Sequence, residues 1–380
     1  MRLDAGVKTV VVLAGLVIVV GGLRESGAVF LPILAGLFIA VISMPFLKWL
    51  EEVRVPRPLA IALTVLLDVA VLAGLAALIG SSLSGFNEAT PRYRAALGTL
   101  VSDTTALLRD MGVPVEAEDM RVLRDAGSVM TIVGEIFDSL TAVISNTVLV
   151  SLLVVFMLFE IRPGGAKLKI LLGGPHANLE PLTIAAAQVQ RYLVVKTGLS
   201  VVTGALCGGW MAVCGLDFPL LWGLLTFLLN YIPSVGAAVA GVPPVLIALL
   251  TLGPGAALAV AVGYLSINFF IGNAIEPRLM GTTLGLSTLV VFLSMLFWGW
   301  VWGPVGALFA VPLTMLLRSA LELSAETRWL AVLLGSSEWV ERKRREWGWT
   351  TIEERQSLVP STPPPPATTR PDDKDREAAE

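Results

Sequence analysis

Residues 233–243 read Pro233-Ser234-Val235-Gly236-Ala237-Ala238-Val239-Ala240-Gly241-Val242-Pro243, and residues 304–312 read Pro304-Val305-Gly306-Ala307-Leu308-Phe309-Ala310-Val311-Pro312. Each follows a short apolar segment rich in aromatics, and the two share Val-Gly-Ala, then Ala, then Val-Pro. Proline removes a backbone donor and glycine permits tight turns, so inside an apolar helix these residues mark a break. The apolar pieces ahead of them, 218–232 and 287–301, hold about fifteen residues each. That is about 22 Å of helix against a hydrocarbon core of about 30 Å. Such pieces enter a bilayer and turn back, giving two hairpins over 218–252 and 286–318. Backbone polar groups are not tolerated against lipid, so the turns must be buried or line a polar cavity.

Working outward, the whole stretch 197–318 is nearly apolar, and the runs 7–23, 28–47, 59–80 and 141–159 each approach the ~20 residues of a membrane helix. With 380 residues, 55% hydrophobic, 15% charged and a mean hydropathy of +0.78, a water-soluble fold is excluded. The expected fold is all-α and polytopic, with about six full transmembrane helices plus the two re-entrant hairpins, or eight to ten spans if the hairpins cross. Four regions follow: membrane helices at 1–80, a small helical extracytoplasmic domain at 81–140, a membrane transport core at 141–335, and 336–380. The last carries a basic interfacial helix with Trp339, Trp347 and Trp349 around Arg342-Lys343-Arg344-Arg345, then a disordered proline-rich tail.

Orientation comes from Lys and Arg. With the amino terminus inside, the inner loops hold Arg2, Lys8, Lys48, Arg54, Arg57, Arg162, Lys167, Lys169, Arg191, Lys196 and Arg278, then Arg318, Arg328 and the 342–345 run, while the outside keeps Arg24 and the arginines of the long domain. The positive-inside bias therefore puts both termini in the cytoplasm and 81–140 outside. The first hairpin then enters from outside and the second from inside, the opposed arrangement that holds solutes in transporters with inverted repeats.

The inventory points away from an enzyme, from metal or cofactor chemistry and from nucleic acid. Cys207 and Cys214 would lie about 10 Å apart along one helix, too far for a disulfide, and His176 is the only histidine. No Gly-x-x-x-x-Gly-Lys-Ser/Thr phosphate loop occurs, so any transport is driven by a gradient. The partners expected are the lipid bilayer and a small polar solute or ion.

The candidate substrate path is Asn230, Tyr231, Pro233, Ser234, Gly236, Asn268, Asn273, Gly303, Pro304 and Gly306. Amides at membrane depth both donate and accept, which suits a neutral polyol or an ion shell, although the same groups also join helices. Asp68, Glu276 and Arg278 are candidates for ion coupling. Against that, Glu276 and Arg278 flank Pro277 as an interfacial ion pair would, and Asp68 could pair with a neighbouring helix.

Three motifs carry a resemblance. Asn230-Tyr231-Ile232-Pro233-Ser234-Val235-Gly236, then Asn273-Ala274-Ile275-Glu276-Pro277-Arg278-Leu279-Met280-Gly281, then 302–313 from Trp302-Gly303-Pro304 onward together resemble the autoinducer-2 exporter family of permeases, over about residues 8–335. Thr288 stands where many relatives have proline, which softens the entry to the second hairpin. The resemblance implies a bacterial inner-membrane homo-oligomer that exports the furanone autoinducer-2. Relatives are also associated with sodium/proton exchange, so a cation/proton antiporter using Asp68 or Glu276 is the alternative, and a non-transporting membrane scaffold built on 81–140 is a further one.

Overall fold

The computed structural model describes residues 5–111, 147–171, 180–233, 235–280, 285–324 and 326–347. Among these residues the chain is helical, with no β-strand and one isolated bridge between Leu286 and Gly335. The helices are α1 (Ala5–Glu25), α2 (Gly27–Glu52), α3 (Arg57–Asp110), α4 (Thr147–Leu171), α5 (Glu180–Val213), α6 (Pro219–Leu229), α7 (Val235–Thr251) and α8 (Pro254–Phe270). A π-helical turn (Ile271–Ile275) joins α8 to α9 (Glu276–Met280). α10 (Thr288–Glu322), α11 (Arg328–Leu334) and α12 (Ser337–Trp347) follow. Among the described residues, five stretches are long and apolar enough to cross a membrane: Gly27–Glu52, Arg57–Leu100, Thr183–Val213, Pro254–Met280 and Thr288–Glu322. The outward faces are lined by exposed apolar side chains such as Ile18, Leu66, Val148, Leu258 and Val262. With no water in the hydrocarbon to satisfy a backbone, helices that bond internally are the structure such faces require. The protein is an all-α polytopic membrane protein.

Two boundaries differ from expectation. α3 continues past residue 80 to Asp110, so the first half of the 81–140 region is an arm on the third span. The arm is held because Phe86 packs edge-on against Trp222, with ring centroids 5.7 Å apart, and Arg92 forms an ion pair with Asp217. Residues 112–140, with the expected break at Gly112 and Pro114, lie outside the described residues. α4 runs on through Pro163-Gly164-Gly165 to Leu171, where a loop was expected, and Lys167 Nζ reaches back two turns to Glu160 Oε1 at 2.6 Å. The tail beyond Trp347 also lies outside the described residues.

Both helix breaks form hairpins. α6 and α7 are the arms of the first. In α10, Trp302 (φ −128°) and Gly303 (φ 66°) interrupt the helix. Its second arm folds back on the first, so that Ser294 Oγ donates to the Ala310 carbonyl at 2.9 Å and Trp298 Nε1 donates to Thr314 Oγ1 at 3.3 Å. The repeated glycine has the same task in both hairpins. A Cβ on Gly236 would lie 1.8 Å from the Leu229 carbonyl oxygen, and one on Gly306 would lie 2.0 Å from that of Trp298. Only glycine lets the second arm begin so close to the last turn of the first.

The turns do not meet tip to tip. Ile232 and Val235, at the turn of the first hairpin, pack on Met295, Ala307 and Ala310 in the arms of the second. The second turn reaches further, to the α1–α2 junction: Trp302 Nε1 donates to the Leu23 carbonyl at 2.8 Å, and Arg24 lies over the Trp300 ring. At the other end of that hairpin the chain closes on itself. Ser287 N–H donates to Leu334 O, Ser336 N–H donates to Gly285 O, and Lys343 Nζ meets Glu322 Oε1 at 2.8 Å. Partial burial disfavours the Lys343 ammonium, but its hydrogen bonds to Glu322 and Glu346 more than offset this and hold its pKa above the ordinary lysine value.

Candidate functional site

A cavity of about 710 Å³ opens where the first turn, α5 and the α8–α9 junction converge. Its wall includes Asn230, Ile232, Pro233 and Ala237 from the hairpin, Lys196 from α5, and Leu265, Asn268, Phe269, Asn273 and Glu276 from the α8–α9 side. That volume falls in the range of pockets for small organic ligands. The π-helical turn Ile271–Ile275 forms part of the wall; the extra residue per turn widens the helix and turns Asn273 and Glu276 toward the opening.

Each amide is oriented by a local bond. Asn230 Nδ2 donates to Ser200 Oγ at 3.0 Å, Asn268 Nδ2 to the Tyr264 carbonyl at 2.9 Å, and Asn273 Nδ2 to the Phe269 carbonyl at 3.0 Å. Asn268 Nδ2 also donates to Cys207 Sγ at 3.7 Å. A carboxamide has two N–H donors and an acceptor oxygen, so Asn230 and Asn273 each have a second N–H beyond these bonds, and all three have the oxygen. Lys196, 4% exposed, places Nζ 2.7 Å from Glu276 Oε1. Tyr231 is buried behind the wall, its hydroxyl donating to Thr197 Oγ1 at 2.7 Å.

Of the residues expected from sequence, the cavity gathers Asn230, Pro233, Asn268, Asn273 and Glu276. Tyr231 supports it and Gly236 closes the hairpin beneath it. Ser234 lies outside the described residues. Gly303, Pro304 and Gly306 belong to the second hairpin and do not line the cavity. Asp68 sits in the α2–α3 interface, taking a 2.6 Å hydrogen bond from Ser43 Oγ. The pairing of Glu276 with Arg278 is corrected: Arg278 is exposed and off the cavity, and Glu276 turns to Lys196 instead.

From sequence, Lys196 reads only as one of the inner-side charges that set the orientation. Its signal was the polar stripe Lys196, Ser200, Thr203, Cys207, spaced i, i+4, i+7, i+11, which is one face of a helix. The structure turns that face inward, and all four residues are buried.

A bundle of membrane helices, broken around a solute-sized cavity that carries polar groups at a helix-hairpin turn, is the architecture of a transporter. A family model described as AI-2E family transporter matches residues 9–326, and the chain belongs to that family. It is 38% identical to the AI-2 transport protein TqsA of Escherichia coli (strain K12), over 87% of this chain and 96% of that protein. It is also 39% identical to a Haemophilus influenzae protein, covering 87% and 97% of the two chains, and 34% identical to YhhT of Escherichia coli (strain K12), covering 87% and 95%. Both of these are named for transport, with no solute given. The protein is a membrane transporter.

Proposed function

We propose that the chain is a secondary transporter that exports a small, hydroxyl-rich solute of the autoinducer-2 kind across the bacterial inner membrane, through the cavity at the first hairpin turn. The observation that carries this is the convergence of three oriented carboxamides, Asn230, Asn268 and Asn273, on one cavity with an apolar wall. Amides match hydroxyl groups in both senses, and the Phe269 and Leu265 side chains suit a ring's carbon face. The solute is taken from the name of TqsA, and the export direction from the resemblance. The reading includes no catalytic step. It keeps both termini cytoplasmic, the α3 arm outside, the chain a homo-oligomer, and 141–335 the transport core. A cation/proton antiporter built on Glu276 fits less well, because Lys196 already occupies that carboxylate.

Proteoliposomes loaded with labelled autoinducer-2 test the proposal. Purified protein should accelerate efflux over protein-free vesicles, and Asn268→Ala and Asn230→Ala should each slow it by about tenfold, the loss of one to two hydrogen bonds. Efflux no faster than in empty vesicles, with the protein folded and inserted, would remove this reading.

A further inference from the structure

Among the described residues lining the cavity, Lys196 and Glu276 are the only ionisable side chains. They come from different helices and meet at 2.7 Å, with side-chain exposures of 6% and 25%. A pair this enclosed resists separation, because removing either partner leaves a charge with nothing to compensate it. Without Lys196, the Glu276 carboxylate would face a cavity whose wall also carries the carboxamides of Asn230, Asn268 and Asn273. Carboxylate and amide oxygens are the ligand set that hard cations take. The wall is thus one charge away from a cation site.

We infer that Lys196 determines the charge class of the transported solute: by neutralising Glu276 it excludes cations and leaves a cavity that selects uncharged, hydroxyl-bearing molecules. This rests on the cavity being the transport site, as proposed above. The pair also sets an asymmetry. A cationic solute would meet the Lys196 ammonium, and an anionic one would have to displace Glu276 from it, whereas an uncharged solute leaves the pair intact. Lys196 is a specificity-determining residue here, and nothing in its role requires contact with the solute.

The test uses sodium ion as a probe, read independently of transport as sodium-dependent thermal stabilisation of the detergent-purified full chain, since a ligand that binds only the folded state raises its melting temperature. Wild type should show no specific sodium stabilisation beyond that given by the same concentration of choline chloride. Lys196→Met should gain it, with sodium affinity at least about tenfold above wild type. The double variant Lys196→Met/Glu276→Gln should lose it again, since the carboxylate is gone. Lys196→Arg, which keeps the charge, should exclude sodium as wild type does. Sodium binding by wild type or by Lys196→Arg would overturn the inference, as would a folded Lys196→Met indifferent to sodium. A second arm measures labelled autoinducer-2 efflux from proteoliposomes. If sodium stabilises Lys196→Met as expected while wild type moves no autoinducer-2, the charge role stands and the solute assignment falls.

Discussion

Ser43 and Asp68 form a side-chain hydrogen bond between α2 and α3, and it is only half satisfied: Oδ1 accepts from Ser43 Oγ, while Oδ2 is buried without a partner. Removing the donor leaves a buried carboxylate with neither oxygen bonded, and an orphaned buried acceptor costs about 1–3 kcal/mol, more when charged. Ser43→Ala should therefore lower the melting temperature of the purified protein. Ser43→Ala/Asp68→Ala should recover part of that loss, because the group left unsatisfied is gone as well. A double variant less stable than Ser43→Ala alone would mean that Asp68 has a stabilising partner of another kind, such as a bound cation. The carboxylate itself was visible in the sequence as a charge inside an apolar run, but its partner was not. The same holds for Glu276, whose near neighbour Arg278 was the obvious partner by spacing and whose actual partner, Lys196, lies on another helix. Helical periodicity reports which residues share a face, and it carries no information about which distant face meets it. The amides were easier to read, because any polar group in a nearly apolar run needs a partner or a cavity, and three of them found the same cavity.

At the scale of elements, what was legible was where the helices break. Pro and Gly act locally, so the echo of Val-Gly-Ala after two short apolar pieces located both turns, and the close approaches of Gly236 and Gly306 to the preceding arm explain why that echo contains glycine. How far each turn reaches was not legible, because it depends on packing: Trp302 bonds to the α1–α2 junction, which carries that turn past the level where the first one stops. Gly236→Ala and Gly306→Ala should each force the arms apart, at the roughly 1–3 kcal/mol of an overpacked core, and should reduce efflux more than they reduce insertion. Equal transport at unchanged melting temperature would show that the arms separate freely. Among the contacts that hold the root of the first hairpin on the α3 arm, two differ in weight. Phe86, 4% exposed, packs on Trp222 and Phe218, whereas the Arg92–Asp217 pair is open to solvent. Burial should decide between them. Phe86→Ala is expected to destabilise by about 3–5 kcal/mol and Arg92→Met by less than about 1 kcal/mol, in chemical denaturation followed by Trp fluorescence. The reverse order would make the arm an electrostatic attachment.

Across the whole molecule, the fold supplies an argument about sidedness that does not use the Lys and Arg distribution. The second hairpin runs from Ser287 to a turn beside Leu23 and Gly27 and back to Glu322, so its turn and its root mark opposite ends of the bundle. α12 is fixed at the root end by the Lys343–Glu322 ion pair. α3 starts near that same end, where Arg57 faces Glu51, and runs antiparallel to α2 toward the α1–α2 junction and beyond it, carrying its polar arm out at the turn end. Ser102 on the arm and Arg342 on α12 are both exposed, and they must lie on opposite sides of any bilayer that crosses this bundle. The Lys and Arg bias then only has to say which side is which, and in the topology proposed above the 342–345 run assigns the α12 side to the cytoplasm. Single cysteines at these two positions, in a chain whose Cys207 and Cys214 have been replaced by Ser, test both statements with a membrane-impermeant thiol reagent. In intact spheroplasts Ser102→Cys should label and Arg342→Cys should not, and lysis should expose the second. Labelling of both before lysis would contradict the fold, because two ends of one hairpin's axis cannot share a face. Labelling of Arg342→Cys alone would keep the fold and invert the protein in the membrane.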